Sequence, residues 1–137
     1  MMDWKLLNRN VIEEFRINSG RVAQFGDLPV VILNTIGAKT GNLLEVPLIT
    51  VIDDGHMYLF GTNAGAKKQP AWIYNLRANP VIDVEFKTEV FRANLTELDG
   101  QQRKDRIQIQ SQQTPQFADY IASSAPRQVA VFRIDPL

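Results

Sequence analysis

Between residues 82 and 95 the chain alternates. Ile82, Val84 and Phe86 are separated by Asp83 and Glu85, and Phe91, Ala93 and Leu95 by Arg92 and Asn94. A period of two puts the apolar set on one face of a strand. The two runs are joined by a turn near Lys87 and Thr88, too short for a crossover, so they pair as an antiparallel hairpin with one dry face. A dry face must be covered, and that requirement organises the rest of the chain.

Further strands are legible on both sides of the hairpin. Residues 30–34 (VVILN) form a short β-branched run, and residues 45–53 (EVPLITVID) a second. Pro47 inside the second run marks a strand start, an edge or a bulge, because proline donates no ladder hydrogen bond. Asp53, Asp54 and Gly55 spell a hairpin turn, and residues 56–61 are the return strand. Residues 127–134 close the chain as a strand.

Trp4, Leu7, Val11, Ile12 and Phe15 recur at helical spacing, with Glu13, Glu14 and Arg16 on the other side, until Asn18 to Gly20 end the pattern. Residues 70–77 read as a short helix, with Pro70 in its first turn and Asn79-Pro80 beyond its end. Residues 99–111 form a polar helix offering Ile107 and Ile109 for burial, and residues 114–124 form another. The order is helix, three strands, helix, two strands, one or two helices, strand. It suits a mainly β (α+β) domain spanning residues 1–137: a closed or split six-stranded antiparallel β-barrel with flanking helices.

Composition excludes several kinds of function. Fifteen basic residues offset fifteen acidic ones, which argues against a global grip on nucleic acid. There is no cysteine, so disulfides, thiolate metal sites and a cysteine nucleophile are ruled out. A single histidine, His56, rules out a multi-histidine metal site, and no metal is expected. No apolar run approaches the ~18 residues of a spanning helix. Charges interrupt the N-terminal residues, unlike a signal peptide. A cytoplasmic protein is expected. The N-terminal helix either packs on the barrel or makes peripheral membrane contact; Glu13 and Glu14, repelled by anionic lipid, favour packing.

His56 opens a strand after a turn and reads as a surface residue. Asp53 and Asp54 read as turn chemistry. Lys39 in GAKTG stands between two glycines, which let backbone N–H groups approach a ligand, a combination suited to phosphate. It is not a Walker motif, whose spacing is absent. Taken alone, a solvated loop lysine is the simpler reading. Gly65, Lys67 and Lys68 repeat the pattern just before a helix N-terminus, a position that favours anions. Trp72 reads as core, while Tyr74 and Asn75 could hydrogen-bond a flat heterocycle. Phe117 and Tyr120 read as a helix-face pair packing on the barrel.

Taken together, GAKTG…PL, AGAKKQPAWIYNLRANP and VAVFRI resemble the deazaflavin (F420)-dependent nitroreductase family over nearly the whole chain. The resemblance implies a split β-barrel oxidoreductase that binds coenzyme F420. It would pass a hydride from the reduced cofactor to a small electron acceptor such as a quinone, a nitro compound or an activated alkene. By position, Ala38, Lys39 and Thr40 would meet the cofactor's phosphate and carboxylated tail. The strand carrying Leu44, Glu45, Val46, Pro47, Leu48 and Ile49 would line it. Phe60, Gly61, Thr62 and Asn63 would lie beside it. Ala71, Trp72, Ile73, Tyr74 and Asn75 would approach the ring.

Phe117 and Tyr120 would border the substrate pocket, with Tyr120 the candidate proton donor. Ala38, Leu44 and Asn63 are uncharged where relatives often carry a cation. Each charge-assisted hydrogen bond so lost is worth roughly 1.5–3 kcal/mol, and Lys67 or Lys68 is the expected replacement. Related split barrels hold FMN or haem, which are the alternative cofactors; a non-catalytic lipid- or cofactor-binding module is the alternative function. The fold often dimerises, so a homodimer is expected.

Overall fold

The computed structural model describes residues 4–137. The N-terminal pattern folds as α1 (Trp4–Ile17). Ile12 and Phe15 are buried with Val22 against Val30 and Ile32, so the apolar face of α1 is used by the sheet. The side chain of Trp4 lies outside the described residues.

Strand β1 (Val30–Ile36) runs two residues past the apolar run. Thr35 explains the extension: it is fully buried, and its hydroxyl donates to the carbonyl of Leu44 at 2.6 Å. The run expected at residues 45–53 divides into β2 (Leu43–Ile49) and β3 (Val51–Asp53). The return strand is β4 (His56–Phe60), reached through Asp54 and Gly55 at φ 51° and 76°. Two successive left-handed residues are what a two-residue hairpin of native twist needs.

After α2 (Ala71–Ala78) comes the alternating hairpin, β5 (Val81–Phe86) and β6 (Glu89–Leu98). Helices α3 (Gly100–Gln113) and α4 (Pro115–Ser124) are separated by Thr114, and β7 (Val131–Pro136) ends the chain.

All seven strands share one sheet, ordered β2-β1-β5-β6-β7-β4-β3, and every pair is antiparallel. The expectation of six strands is corrected to seven, and Thr50 is the reason. Its N–H donates to the carbonyl of Pro29 and its hydroxyl to that of Tyr58, so the chain turns there from one ladder to another. The two ends of the strand order, β2 and β3, are therefore halves of one bent run, and chain continuity curls the sheet round on itself. Pro47 sits on β2, an edge strand, where its missing N–H costs no ladder bond.

The interior holds Val31, Leu33, Leu59, Val84, Leu95 and Phe132, joined by Trp72, Ile73 and Leu76 from α2. Outside, α3 buries no residue fully; Ile107 leans on Tyr58, Leu98 and Val131. Arg106 stacks over the Tyr58 ring at 4.4 Å and bonds Asp53 at 2.7 Å, fixing α3 to the β3–β4 hairpin.

Candidate active site

The segment between β1 and β2 is a six-residue loop, Gly37 to Asn42, that bonds largely to itself. Gly37 N–H donates to Asn42 O, Gly41 N–H to Gly37 O, and Asn42 N–H to the Thr40 hydroxyl. Ala38 N–H donates to the side-chain oxygen of Asn75 at 3.0 Å. Among the described residues, the N–H groups of Lys39 and Thr40 have no partner, and they stand beside the one lysine of the loop. That is a small anion-binding concavity.

Asn75 lies on α2, so its bond to Ala38 draws the loop against that helix. A cavity of about 500 Å³ lies between them, lined by Gly37, Ala38, Lys39, Thr40, Leu44, Ala71, Tyr74 and Asn75. Tyr74 is half exposed there, with Arg77 5.9 Å from its ring centre. Arg77 itself is held by Glu97 through two hydrogen bonds. The cavity thus gathers seven sequence candidates from two stretches that only the fold brings together. Gly37 completes the lining. It had no separate role in the sequence, although it belongs to the same glycine pair that drew attention to Lys39.

Other candidates lie elsewhere. The register pairs Val46 with Leu33 and Leu48 with Val31, so these two face the barrel interior. Glu45 is on the opposite face, bonded to Arg16 of α1. Pro47 and Ile49 share that outer face. Arg16 also grips Glu85 through two bonds of 2.8 and 3.0 Å, and Asn34 donates to the same carboxylate. The Arg16 guanidinium, helped by Asn34, holds the Glu85 carboxyl below its ordinary range. Trp72 and Ile73 are in the core, Trp72 tilted against Phe132 at 6.2 Å; they back the wall formed by α2 without lining the cavity.

Phe60 ends β4, and the second loop follows it with Gly61, Thr62 and Asn63. Gly61 packs against Ile73, so this loop adjoins α2 at a residue that does not line the cavity. Gly65 has φ +82°, and a Cβ there would lie 3.0 Å from Ser123, so the loop is pressed onto α4. Ser123 donates its hydroxyl to Gly65 O at 2.9 Å. Phe60 meets Phe117 edge to face at 4.9 Å, and the Tyr120 backbone lies beside Gly65. Phe117 and Tyr120 do not line the cavity.

The second loop is organised by Arg127, which the sequence presents as the first residue of the closing strand but which lies four residues before β7 begins. Its guanidinium donates to the carbonyls of Gly61, Thr62 and Ala66 and to the side chain of Gln69. Nothing in the spacing around Arg127 announces this, since all four acceptors are some 60 positions away and three are backbone atoms. Lys67, expected to supply a missing cation, donates to the carbonyl of Ala125 instead. Asn63 turns its amide to Lys68 O.

His56 is exposed in the β3–β4 hairpin, outside the cavity. Among the described residues no group of His, Cys, Asp and Glu could hold a metal ion, and no helix is long and apolar enough to cross a membrane.

Comparison with known proteins places this architecture. The family model for F420H2-dependent quinone reductases matches residues 7–136. An F420H2-dependent quinone reductase of Mycobacterium tuberculosis is 34% identical over 80 residues, 56% of this chain and 53% of the relative. The chain thus spans about half the length of the curated relatives it matches. A solved F420H2-dependent reductase superposes with a TM-score of 0.67 at 30% identity, covering 78% of this chain and 94% of the other. A domain-swapped dimer superposes with a TM-score of 0.68 at 26% identity, covering 97% and 100%. With a match from the first helix to the last strand, and the split-barrel fold shared, the chain belongs to the F420H2-dependent quinone reductase family.

Proposed function

We propose that this chain binds coenzyme F420 in the cavity between the 37–42 loop and α2, and that with the reduced cofactor it reduces a small acceptor of the quinone type. One observation carries the reading: the bond from Ala38 to Asn75 brings an anion-ready loop to the rim of a cavity walled by Tyr74 and Leu44. The volume lies within the roughly 300–1,000 Å³ usual for small-molecule sites.

The residues present fit the cofactor. Lys39 and the N–H groups of Lys39 and Thr40 suit its phosphate. The half-exposed Tyr74 ring and the Leu44 and Ala71 side chains offer flat apolar surface to a heterocycle. When bound, the deazaflavin supplies a hydride. The chain's own part is placement: Asn75 fixes the loop, Lys39 fixes the anionic end, and α2 fixes the wall. Thr62, Asn63 and Tyr120 are assigned to the acceptor side, since Gly61 packs on α2 and the loop beyond it meets α4.

The test is a fluorescence titration of the purified protein with F420, expected to saturate, followed by spectrophotometric oxidation of the reduced cofactor on adding a quinone. A linear, non-saturating titration sinks the proposal. We also assign the chain a homodimeric state, supported by the similar structure described as a domain-swapped dimer. Light scattering reads the mass directly, and a monomer at micromolar concentration counts against it.

A further inference from the structure

The cations that could meet an anionic ligand are unevenly available. Lys39 is the one cation lining the cavity among the described residues. Lys68 does not line the cavity, and three further cations are committed. Arg77 is held by Glu97, Lys67 by the Ala125 carbonyl, and Arg127 by the second loop. A ligand extending past Leu44 would enter a second groove, of about 550 Å³, between α1 and β2; Leu44 lines both. Three cations line that groove against two carboxylates, and Glu85, outside the lining but also bonded by Arg16, brings the charges level. Glu13 and Glu45 stand among Lys5, Arg9 and Arg16, and Arg16 is already bonded to both Glu45 and Glu85. Glu45 follows Leu44 directly, so a carboxylate leaving the cavity would meet a carboxylate first.

We propose that this site grips one anionic group of its ligand, a phosphate at Lys39 and Thr40, and does not read a carboxylated tail beyond it. The inference rests on the cofactor reading above and specifies which part of the cofactor is recognised. The phosphate meets an ammonium and two unpaired N–H groups. Additional carboxylates would have to displace Glu45 from Arg16, compete with Glu13 for Lys5 and Arg9, or remain in water.

The experiment compares three ligands by fluorescence titration at one ionic strength: F420 with a long carboxylated tail, the phosphorylated form without that tail, and the chromophore lacking the phosphate. The first two are expected to bind within about twofold of each other, and the third about tenfold more weakly, as for the loss of one charge-assisted contact. Lys39→Gln, an exposed loop change, is expected to bring all three to the same affinity. Arg9→Ala is expected to leave the order unchanged. Affinity that rises about tenfold or more with tail length, or a tail effect abolished by Arg9→Ala, overturns the inference while leaving the cofactor reading intact. Equal binding of all three to the unmodified protein overturns it as well. Binding of none overturns the cofactor reading itself, and this inference with it.

Discussion

The backbone N–H of Ala38 donates to the side-chain oxygen of Asn75 at 3.0 Å, and this bond is the only hydrogen bond joining the 37–42 loop to α2 among the described residues. Residues 37 positions apart are thereby made two sides of one cavity. Asn75→Ala removes the acceptor and frees the loop. An exposed bond of this kind contributes about 0.5–1.5 kcal/mol, so the thermal midpoint should move little. Ligand affinity should fall about five- to tenfold, because a loose loop must be reordered on binding. Asn75→Asp keeps the acceptor but adds a negative charge next to the anion site. It should hold the loop and still weaken binding. Wild-type affinity in Asn75→Ala would show that the bond does not shape the site.

Arg127, half-buried, should be a highly sensitive position outside the core. Replacing it by Met removes the donor to the carbonyls of Gly61, Thr62 and Ala66 at once, of which Thr62 O keeps the N–H of Gly65. The expected loss is about 2–3 kcal/mol of stability, read as a shift of the urea midpoint at constant slope. Arg127→Lys should recover less than half, because an ammonium lacks the planar fork that reaches several carbonyls together. Full recovery by lysine would mean that charge, not geometry, holds the loop.

How much of this was legible in the sequence depended on the range of the interaction. The hairpin 81–98 was legible because a period of two is local and both runs carry it. So was α1, whose apolar spacing matches Ile12 and Phe15 as buried. The division of residues 45–53 was not, because nothing in the run marks Thr50; its two bonds reach Pro29 and Tyr58, which only the closed sheet brings near. Lys39 and Tyr74 were separate candidates until the fold joined them. Arg127 was missed for the same reason. Its acceptors are backbone oxygens, and a carbonyl has no letter in the sequence. Glu45 was placed on the ligand side by position, whereas the pleat turns it to Arg16 on the outer face.

The Arg16–Glu85 pair predicts an acid limb in the stability curve. Hydrogen bonding by Arg16 and Asn34 holds the Glu85 carboxyl below its ordinary value of 4.5. Arg133 and the Thr96 hydroxyl do the same for Asp135. A carboxyl depressed in the folded state binds protons more readily when unfolded. Its contribution is therefore complete above the unfolded value and declines as pH falls through the folded one. Stability should be flat near neutrality and fall from about pH 4.5 downward. Glu85→Gln should be less stable at neutral pH and show a shallower acid limb, both measurable by urea unfolding across pH. An unchanged acid limb in Glu85→Gln would assign the loss to other carboxyls.

Thr50 tests how the sheet is curled. The residue is 1% exposed, and its hydroxyl donates to Tyr58 O at 3.1 Å while its N–H donates to Pro29 O at 2.9 Å. One bond ties the corner to β4 and the other to the residue before β1. Thr50→Val keeps the shape and the backbone bond but removes the hydroxyl, leaving an apolar methyl against a buried carbonyl. The expected cost is about 1–2 kcal/mol. Thr50→Ser keeps the hydroxyl and loses a methyl, at about 0.8 kcal/mol. The cavity beside α2 is not touched by either change, so F420 affinity should stay within about twofold in both. Hydrogen exchange adds a local reading: amides of the β3–β4 ladder should exchange faster in Thr50→Val than in Thr50→Ser, because only the former releases the corner from β4. Equal exchange and equal stability in the two variants would show that the N–H bond to Pro29 alone is sufficient to turn the chain between the two edges of the sheet.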